Sequence, residues 1–424
     1  MIITLLTTGS RGDTQPYIAL GLALQKSGYK VRLAASQMFE DLVTGFGLEF
    51  YSLPGNVLEI AHNNGLISAT EADNPFKLLL GFNILKKYAG KYASQLQEGF
   101  YNACQGSDAI VYHPGAAIGH FIAQSSEIPS ILATPFPMTP TREYPALVFY
   151  NSVRLGKTFN LLTHLLFERV MWQTSKVTIE QFWQRKFNCI PPNFVNPFSF
   201  HKSQNHLTLV SCSNYVFPRP SDWSKQIYNT GYWFLEQQND WLPSPKLKQF
   251  LQAGKPPVYV GFGSLGNPKK AIETTKLAID AINRSGQRAI LATGWGGMIE
   301  LEEISDNIFI LKNVPHSWLF PQMSAIVHHG GAGTTAAALK AGIPSIIIPH
   351  ANDQFAWGKR VYELGISPEP ITRKQLTAKK LSIAIDRALQ EDIKSEARIF
   401  GNKIQLENGV EKAAELITNF LQHQ

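Results

Sequence analysis

Only three cysteines occur among the 424 residues. Cys104, Cys189 and Cys212 are odd in number and lack metal-ligand spacing. They point to neither a disulfide framework nor a zinc site, and they read as buried thiols in a reducing compartment. No uninterrupted apolar run reaches the ~18 residues that a membrane-spanning helix needs, so any bilayer contact is peripheral. The N-terminus, MIITLLTTGSRGD, has neither the basic nor the apolar region of a secretory signal. A cytoplasmic protein is expected, with peripheral association at the inner membrane surface. There is no Asp-x-Asp pair and no His/Cys/Asp cluster with ligand spacing, so no metal and no resident cofactor are expected. Gly-x-Ser-x-Gly and the Walker-A pattern are also missing, which excludes a hydrolase elbow and a P-loop. The net charge is +7, but its lysines and arginines are dispersed. Without a basic run or a reading motif, nucleic acid is excluded as a partner, and an anionic membrane surface or small anion accounts for the charge.

What is present is globular: 44% hydrophobic and 17% charged residues. The length suggests two domains. Ile2 to Thr7 reads as a buried strand. A loop, Thr8 to Asp13, follows, then a helix opening near Pro16 with its apolar period over Tyr17 to Lys26, then a strand over Tyr29 to Ala35. Another unit appears as Asp108–Tyr112, Ala116–Ser126 and Pro129–Ala133. These βαβ units predict a parallel sheet. Residues 150–187 are helical in pattern and rich in apolar and aromatic residues interleaved with Arg154, Lys157, Arg169, Lys176, Arg185 and Lys186. They fit either helices packed on the first domain or a surface that meets lipid or an apolar acceptor. Residues 218–245, with four prolines, read as a linker. A second α/β pattern runs from Val258–Phe262 through Lys269–Arg284, Arg288–Thr293 and Asn307–Leu311. Helical segments near Ala378–Gln390 and Glu391–Leu421 end the chain. The expected domains are 1–217, 246–394 and a returning helix over 395–424.

The densest stretch is 328–354, HHGGAGTTAAALKAGIPSIIIPHANDQ. It reads strand, Gly-rich turn (Gly330, Gly331, Gly333), helix, strand. Such a turn aims unpaired N–H groups and the positive end of a helix dipole at its occupant, for which a phosphate or pyrophosphate is the natural choice. His329, Thr334 and Thr335 would add side-chain donors, while Asp353 and Gln354 at the next strand end would reach neutral hydroxyls. Two other readings stay open. The glycines can serve close packing alone. Alternatively, Gly331-x-Gly333-x-x-Ala336 with Asp353 can be a nicotinamide-dinucleotide fingerprint, although it comes late for one and carries histidines and threonines that it does not need.

The wall opposite this cradle would be the first loop. Asp13 there is either a helix cap or a general base that takes a proton from an attacking alcohol. Gly263 and Ser264 form a second loop beside the cradle. Val314 to Trp318 can grip a planar base, or Trp318 can belong to the core. His113 and His120 flank a helix start on the acceptor wall. His62, His164, His201 and His206 read as structural or surface residues.

Ser10-Arg11-Gly12-Asp13 with Pro16, and His329 to Thr335 with Asp353-Gln354, resemble the nucleotide-sugar glycosyltransferases of the GT-B fold. The similarity is greatest to sterol 3-beta-glucosyltransferases and to bacterial glycopeptide- and macrolide-type transferases. Pro135 to Thr141, Thr230 to Trp233 and Gly261 to Ser264 also resemble family segments. The likeness covers nearly the whole chain and is weakest over 55–105 and 150–210. It implies two facing Rossmann-like, doubly wound α/β domains with an interdomain cleft, and a metal-independent, inverting transfer of a sugar. UDP-glucose is the implied donor, with dTDP-sugars the other class, and a lipophilic alcohol such as a sterol or other isoprenoid the acceptor. The resemblance places Asp13 at the catalytic base, where plant relatives carry histidine. His329, Gly331, Gly333, Thr334 and Thr335 fall around the diphosphate, with Gly263 and Ser264 facing it. Val314 and Trp318 fall on the base, and Asp353 and Gln354 on the sugar. Ser10, Arg11, Gly12, His113, Phe136 and Met138 fall on the acceptor side. Plant relatives have Trp and Asn at the positions of Ala332 and Gly333, so those contacts do not carry over.

Overall fold

A computed structural model describes residues 1–54, 90–202, 206–236, 241–262, 271–293, 298, 305–312, 314–350 and 353–423. The chain divides into two compact units, Met1–Leu235 with Glu407–Gln424, and Glu236–Leu406.

The first unit carries β1 (Ile2–Leu6), α1 (Arg11–Lys26), β2 (Lys30–Ser36), α2 (Glu40–Gly45), β3 (Glu49–Leu53) and α3 (Gly90–Ala103). It continues with β4 (Ala109–Tyr112), α4 (Ile118–Ser125), β5 (Ser130–Thr134), α5 (Lys157–Phe187), β6 (Leu207–Val210) and β7 (Ile227–Asn229). Its seven strands are ordered β3-β2-β1-β4-β5-β6-β7, and all are parallel. Nearly every residue of β1 and β4 is buried, as expected of strands covered by helices on both faces. The order reverses between β1 and β4, so the loops after these two strands flank the switch point, where open α/β sheets bind ligands.

The second unit carries α6 (Pro245–Gln252), β8 (Val258–Gly261), α7 (Ala271–Ser285), β9 (Ala289–Ala292), β10 (Ile308–Leu311), α8 (His316–Leu319) and β11 (Ala325–His328). Then come α9 (Ala332–Ala341), β12 (Ser345–Ile347), α10 (Gln354–Glu363), α11 (Ala378–Ala388) and α12 (Glu391–Gln405). Its five parallel strands are ordered β10-β9-β8-β11-β12, with the switch point between β8 and β11. The last helix, α13 (Gly409–Gln422), belongs to the first unit and packs its buried Ala413, Ala414 and Ile417 into the core that holds Tyr17, Leu20 and Leu24 of α1.

Four expectations shift. Cys104 and Cys212 are buried, but Cys189 is exposed just beyond the end of α5. The segment 218–245 is not a linker throughout: it contains β7, which pairs with β6, and the unit boundary falls after Leu235. The returning helix begins at Gly409 rather than near 395, because α12 stays with the second unit. The break is forced locally. A Cβ at Gly409 would lie 2.5 Å from the Tyr232 carbonyl oxygen, so only glycine lets the chain pass that backbone. Finally, α1 starts at Arg11, which places Pro16 inside the helix rather than at its opening. Pro16 has no N–H to give the Gly12 carbonyl, a defect tolerated close to the helix start.

Candidate active site

In the first unit, β1 delivers the chain to the switch point and Gly9 turns it with φ of +125°, a conformation that favours glycine. Ser10 is the N-cap of α1, and Asp13 is the third helical residue of a capping box. Asp13 therefore is not the N-cap, yet one of its oxygens does capping work. Its Oδ2 accepts the Ser10 N–H at 2.7 Å and the Ser10 hydroxyl at 3.0 Å. Ser10 Oγ in turn accepts the Gly12 N–H at 3.2 Å. The Ser10 side chain is thus engaged in holding Asp13. A Cβ on Gly9 would come within 2.3 Å of Asp13 Oδ2, so glycine there makes room for the carboxylate. The Asp13 side chain remains 30% exposed, enough to meet a solute.

His113 stands just beyond the end of β4, across the switch point. Its Nε2 lies 3.8 Å from Asp13 Oδ1. Its Nδ1 accepts the Gly115 N–H at 3.1 Å. Burial lowers the His113 pKa, and the Asp13 charge only partly opposes this, so the ring is neutral at pH 7. A Cβ on Gly115 would meet Thr8 Cγ2 at 2.6 Å, so this approach also requires glycine.

Other predicted acceptor residues are placed as follows. Arg11 and Gly12 are exposed on the first turn of α1. Phe136 is half-buried after β5. Met138 packs against Ala146, Phe149 and Phe167, a structural cluster. His120 does not line a pocket. It is buried in the core, bonded to Ser130 Oγ at 3.1 Å and pushed down to about 3 by burial and by His206. His164 and His206 are buried too, both pushed down to about 4 by desolvation. His62 and the side chain of His201 lie outside the described residues.

In the second unit, β11 ends at the other switch point. Gly330 has φ of +86°, and a Cβ there would meet Ile347 Cγ2 at 2.7 Å and the Gln354 carbonyl oxygen at 3.1 Å. Glycine thus brings the first turn of α10, with Asp353 and Gln354, up against the turn. Gly331 is the N-cap of α9 and supplies no side chain to cap it. The first-turn N–H groups of Ala332, Gly333 and Thr334 are left to water or to a ligand, and the helix dipole adds positive potential there. His329 is half-buried beside them: a Cβ on Gly331 would lie 2.6 Å from its Nε2. Burial pushes His329 down to about 4, so at pH 7 it offers an N–H dipole and no charge.

Thr334 is half-buried and Gly333 exposed at this helix start. Thr335 differs from expectation. It is fully buried, and both its N–H and its hydroxyl donate to the Gly331 carbonyl at 2.9 Å, so it stabilises the turn and faces no solute. Asp353 Oδ2 accepts the indole N–H of buried Trp357 at 2.9 Å. Gln354 is buried, and its Oε1 accepts the His350 N–H at 2.8 Å. Val314 and Trp318 are half-buried against the cluster of Leu319, Phe320 and Ile326, and Trp318 lies 5.0 Å from the Trp241 ring. Trp318 therefore does core packing while keeping an exposed part. Gly263 and Ser264 lie outside the described residues. Sequence reasoning missed Gly9, Gly115 and His350. Gly9 and Gly115 follow strand ends, and Pro349-His350 closes one, a shared position that marks them once the strands are known.

Comparison with known proteins follows the same two-part division. Residues 3–145 match the glycosyltransferase family 28 N-terminal domain, and residues 277–408 match the erythromycin biosynthesis protein CIII-like C-terminal domain. The chain is 35% identical, over 97% of its length, to sterol 3-beta-glucosyltransferase UGT80B1 of Arabidopsis thaliana, and spans 67% of that protein. It is 34% identical, over 98% of its length, to sterol 3-beta-glucosyltransferase of Yarrowia lipolytica, of which it spans 28%. It thus corresponds to about two thirds of the plant relative and under a third of the fungal one. Among solved structures, the glycotransferase of kitacinnamycin superposes with a TM-score of 0.70 over 99% of each chain at 18% identity, which shows a shared fold. These relatives do not favour the nicotinamide reading of 331–336.

Proposed function

The chain belongs to the GT-B glycosyltransferases, in the group of the sterol 3-beta-glucosyltransferases, and from that premise we propose that it transfers glucose from UDP-glucose, with inversion, to the hydroxyl of a sterol or related lipophilic alcohol. The observation that carries the reading is the partly exposed carboxylate of Asp13, held at the switch point of its sheet by two hydrogen bonds to one oxygen. In this reading the acceptor oxygen attacks the anomeric carbon while its proton passes to Asp13. The bond from that carbon to the diphosphate oxygen breaks, and its electron pair leaves with UDP. Charge then grows on the diphosphate. The N–H groups at the start of α9 and the neutral His329 are the groups suited to stabilise it, because fixed dipoles need no reorganisation during the step. Asp353 and Gln354, beside the same turn, would hold sugar hydroxyls; Val314 and Trp318 would meet the uracil; Gly263 and Ser264 would contact the phosphates.

The acceptor is met at an anionic bilayer surface in this reading. No helix among the described residues is long and apolar enough to cross a membrane. One stretch nevertheless exposes large apolar side chains: Val153, Leu155, Leu162, Leu165 and Leu166. Arg154, Lys157 and Arg169 are exposed among them, and the only carboxylate between 151 and 170, Glu168, is buried and bonded to Asn196. Apolar contacts flanked by cations suit a lipid surface with anionic headgroups.

The test is transfer of radiolabelled glucose from UDP-glucose to a sterol in vesicles, with the anomeric configuration of the product read by NMR. A β-glucoside is expected. A retained α-configuration, or transfer confined to water-soluble phenols, overturns the mechanism or the acceptor class respectively. Co-sedimentation with phosphatidylglycerol-containing vesicles should exceed that with pure phosphatidylcholine and should fall in the Leu165→Ser/Leu166→Ser variant.

A further inference from the structure

On the glycosyl-transfer reading above, Asp13 has to be aimed at the acceptor proton. A carboxylate can take a proton only through a lone pair that is not already engaged. Asp13 Oδ2 receives two donors, the Ser10 N–H at 2.7 Å and the Ser10 hydroxyl at 3.0 Å. An oxygen of this kind has two lone pairs, so Oδ2 is saturated and Oδ1 is the basic atom. The group facing Oδ1 is His113 Nε2, 3.8 Å away.

The state of that imidazole follows from its other nitrogen. Nδ1 accepts the Gly115 N–H, so it carries no proton. With the ring neutral, the single proton sits on Nε2 and points toward Oδ1. A nitrogen that already bears the proton cannot remove one from an alcohol, so His113 is not the base. Among the described residues, Tyr17 is a further ionisable group against the pair. Its ring meets His113 edge-on at 6.2 Å, and its hydroxyl donates to the Ala133 carbonyl at 2.8 Å, so it stays neutral and acts as a wall. The glycines show that the arrangement is built. A side chain at 9 would strike Asp13 and one at 115 would strike Thr8.

We propose that His113 is a positioning residue whose Nε2–H, with the two donors of Ser10 behind it, orients the Asp13 carboxylate so that the remaining lone pair of Oδ1 takes the acceptor proton. The acceptor O–H bond breaks and its proton goes to Oδ1. The oxygen–carbon bond forms as the carbon–diphosphate bond breaks with its electron pair. At 3.8 Å the contact is longer than a hydrogen bond, so the proposed positioning requires it to shorten in the substrate complex, as catalytic hydrogen bonds commonly do.

The test compares His113→Ala and His113→Gln in the full chain. His113→Ala should lower kcat about 10-fold or more, the effect of losing one oriented donor. Donor KM should not change. His113→Gln, which can return an N–H toward Oδ1, should recover most of the rate. An unchanged kcat in His113→Ala, or a glutamine variant as slow as the alanine one, overturns the proposal. A direct readout needs no turnover: ¹⁵N NMR of His113 should give the Nε2–H tautomer, and a proton on Nδ1 overturns it. If the wild-type protein transfers no sugar but shows that tautomer, the transfer reading has failed while the pairing stands.

Discussion

The two switch points answer opposite demands. In the first unit, the groups around Asp13 are matched to one another: Ser10 takes one carboxylate oxygen, His113 faces the second, and Gly115 sets the histidine tautomer. In the second unit the start of α9 has no capping side chain at all. On the proposed reading, a base has to be aimed before its substrate arrives, so its surroundings are filled, whereas an anion cradle has to stay vacant until its ligand arrives, so its donors are left open. Glycine serves both ends. At 9 and 115 it admits a side chain, and at 330 and 331 it admits backbone and a histidine ring.

The sharpest break of this contrast is Asp13→Ala. It should lower turnover by at least ~10²-fold, the low end for a general base, while donor affinity measured by calorimetry stays within a factor of two or so. Normal turnover would end the assignment. Gly330→Ala comes next and should do the reverse. Its positive φ and the 2.7 Å approach to Ile347 displace the turn, so donor affinity should fall about 10-fold or more, with a stability loss on the order of 1–3 kcal/mol. A variant with wild-type affinity would mean that the turn only packs.

Two histidines with lowered pKa values give a smaller effect that both units share. His164 in the first unit and His329 in the second each fall from 6.5 to about 4. Their folded pKa lies below the unfolded one, so the fold holds them neutral. That stability is full above pH 6.5 and is lost as the pH falls from 6.5 toward 4. For fully buried His164 the loss is on the order of 2 kcal/mol by pH 5, and His164→Gln should flatten the dependence of melting temperature on pH in that window. Donor affinity, in contrast, should show no step from His329 between pH 5.5 and 8. A step there would mean that the ring binds as a cation.

Thr335→Val should have the smallest effect on the ligand. Because the hydroxyl donates to Gly331 within its own turn, donor affinity should hardly change, while stability falls by about 1 kcal/mol. A large loss of affinity would show that the threonine turns outward on binding.

The order of strands and helices was readable because buried parallel strands form short apolar runs and their helices keep a 3.6-residue period. Both Gly-rich strand ends were readable for the same reason: polar and glycine residues there interrupt an otherwise apolar pattern. The edges were less legible. Pro16 and Asp13 look like a helix opening, but Ser10 captures the first-turn N–H groups earlier, and no periodicity in the sequence reports a cap. Residues 218–245 look like a linker because prolines obscure the short strand β7, whose pairing partner is close in space but lacks a local signature.

Residue types and their order were enough to determine two doubly wound sheets, a carboxylate after the first strand and a glycine turn before an alanine-rich helix. Tertiary structure decided which atoms of those residues are available. Thr334 and Thr335 are adjacent and chemically alike, yet the burial of Thr335 commits its hydroxyl to Gly331. His113 and His120 are both histidines near one helix start, yet only His113 faces Asp13. Spacing along a chain states which groups can meet. Only packing determines which lone pairs and protons are already engaged when they do.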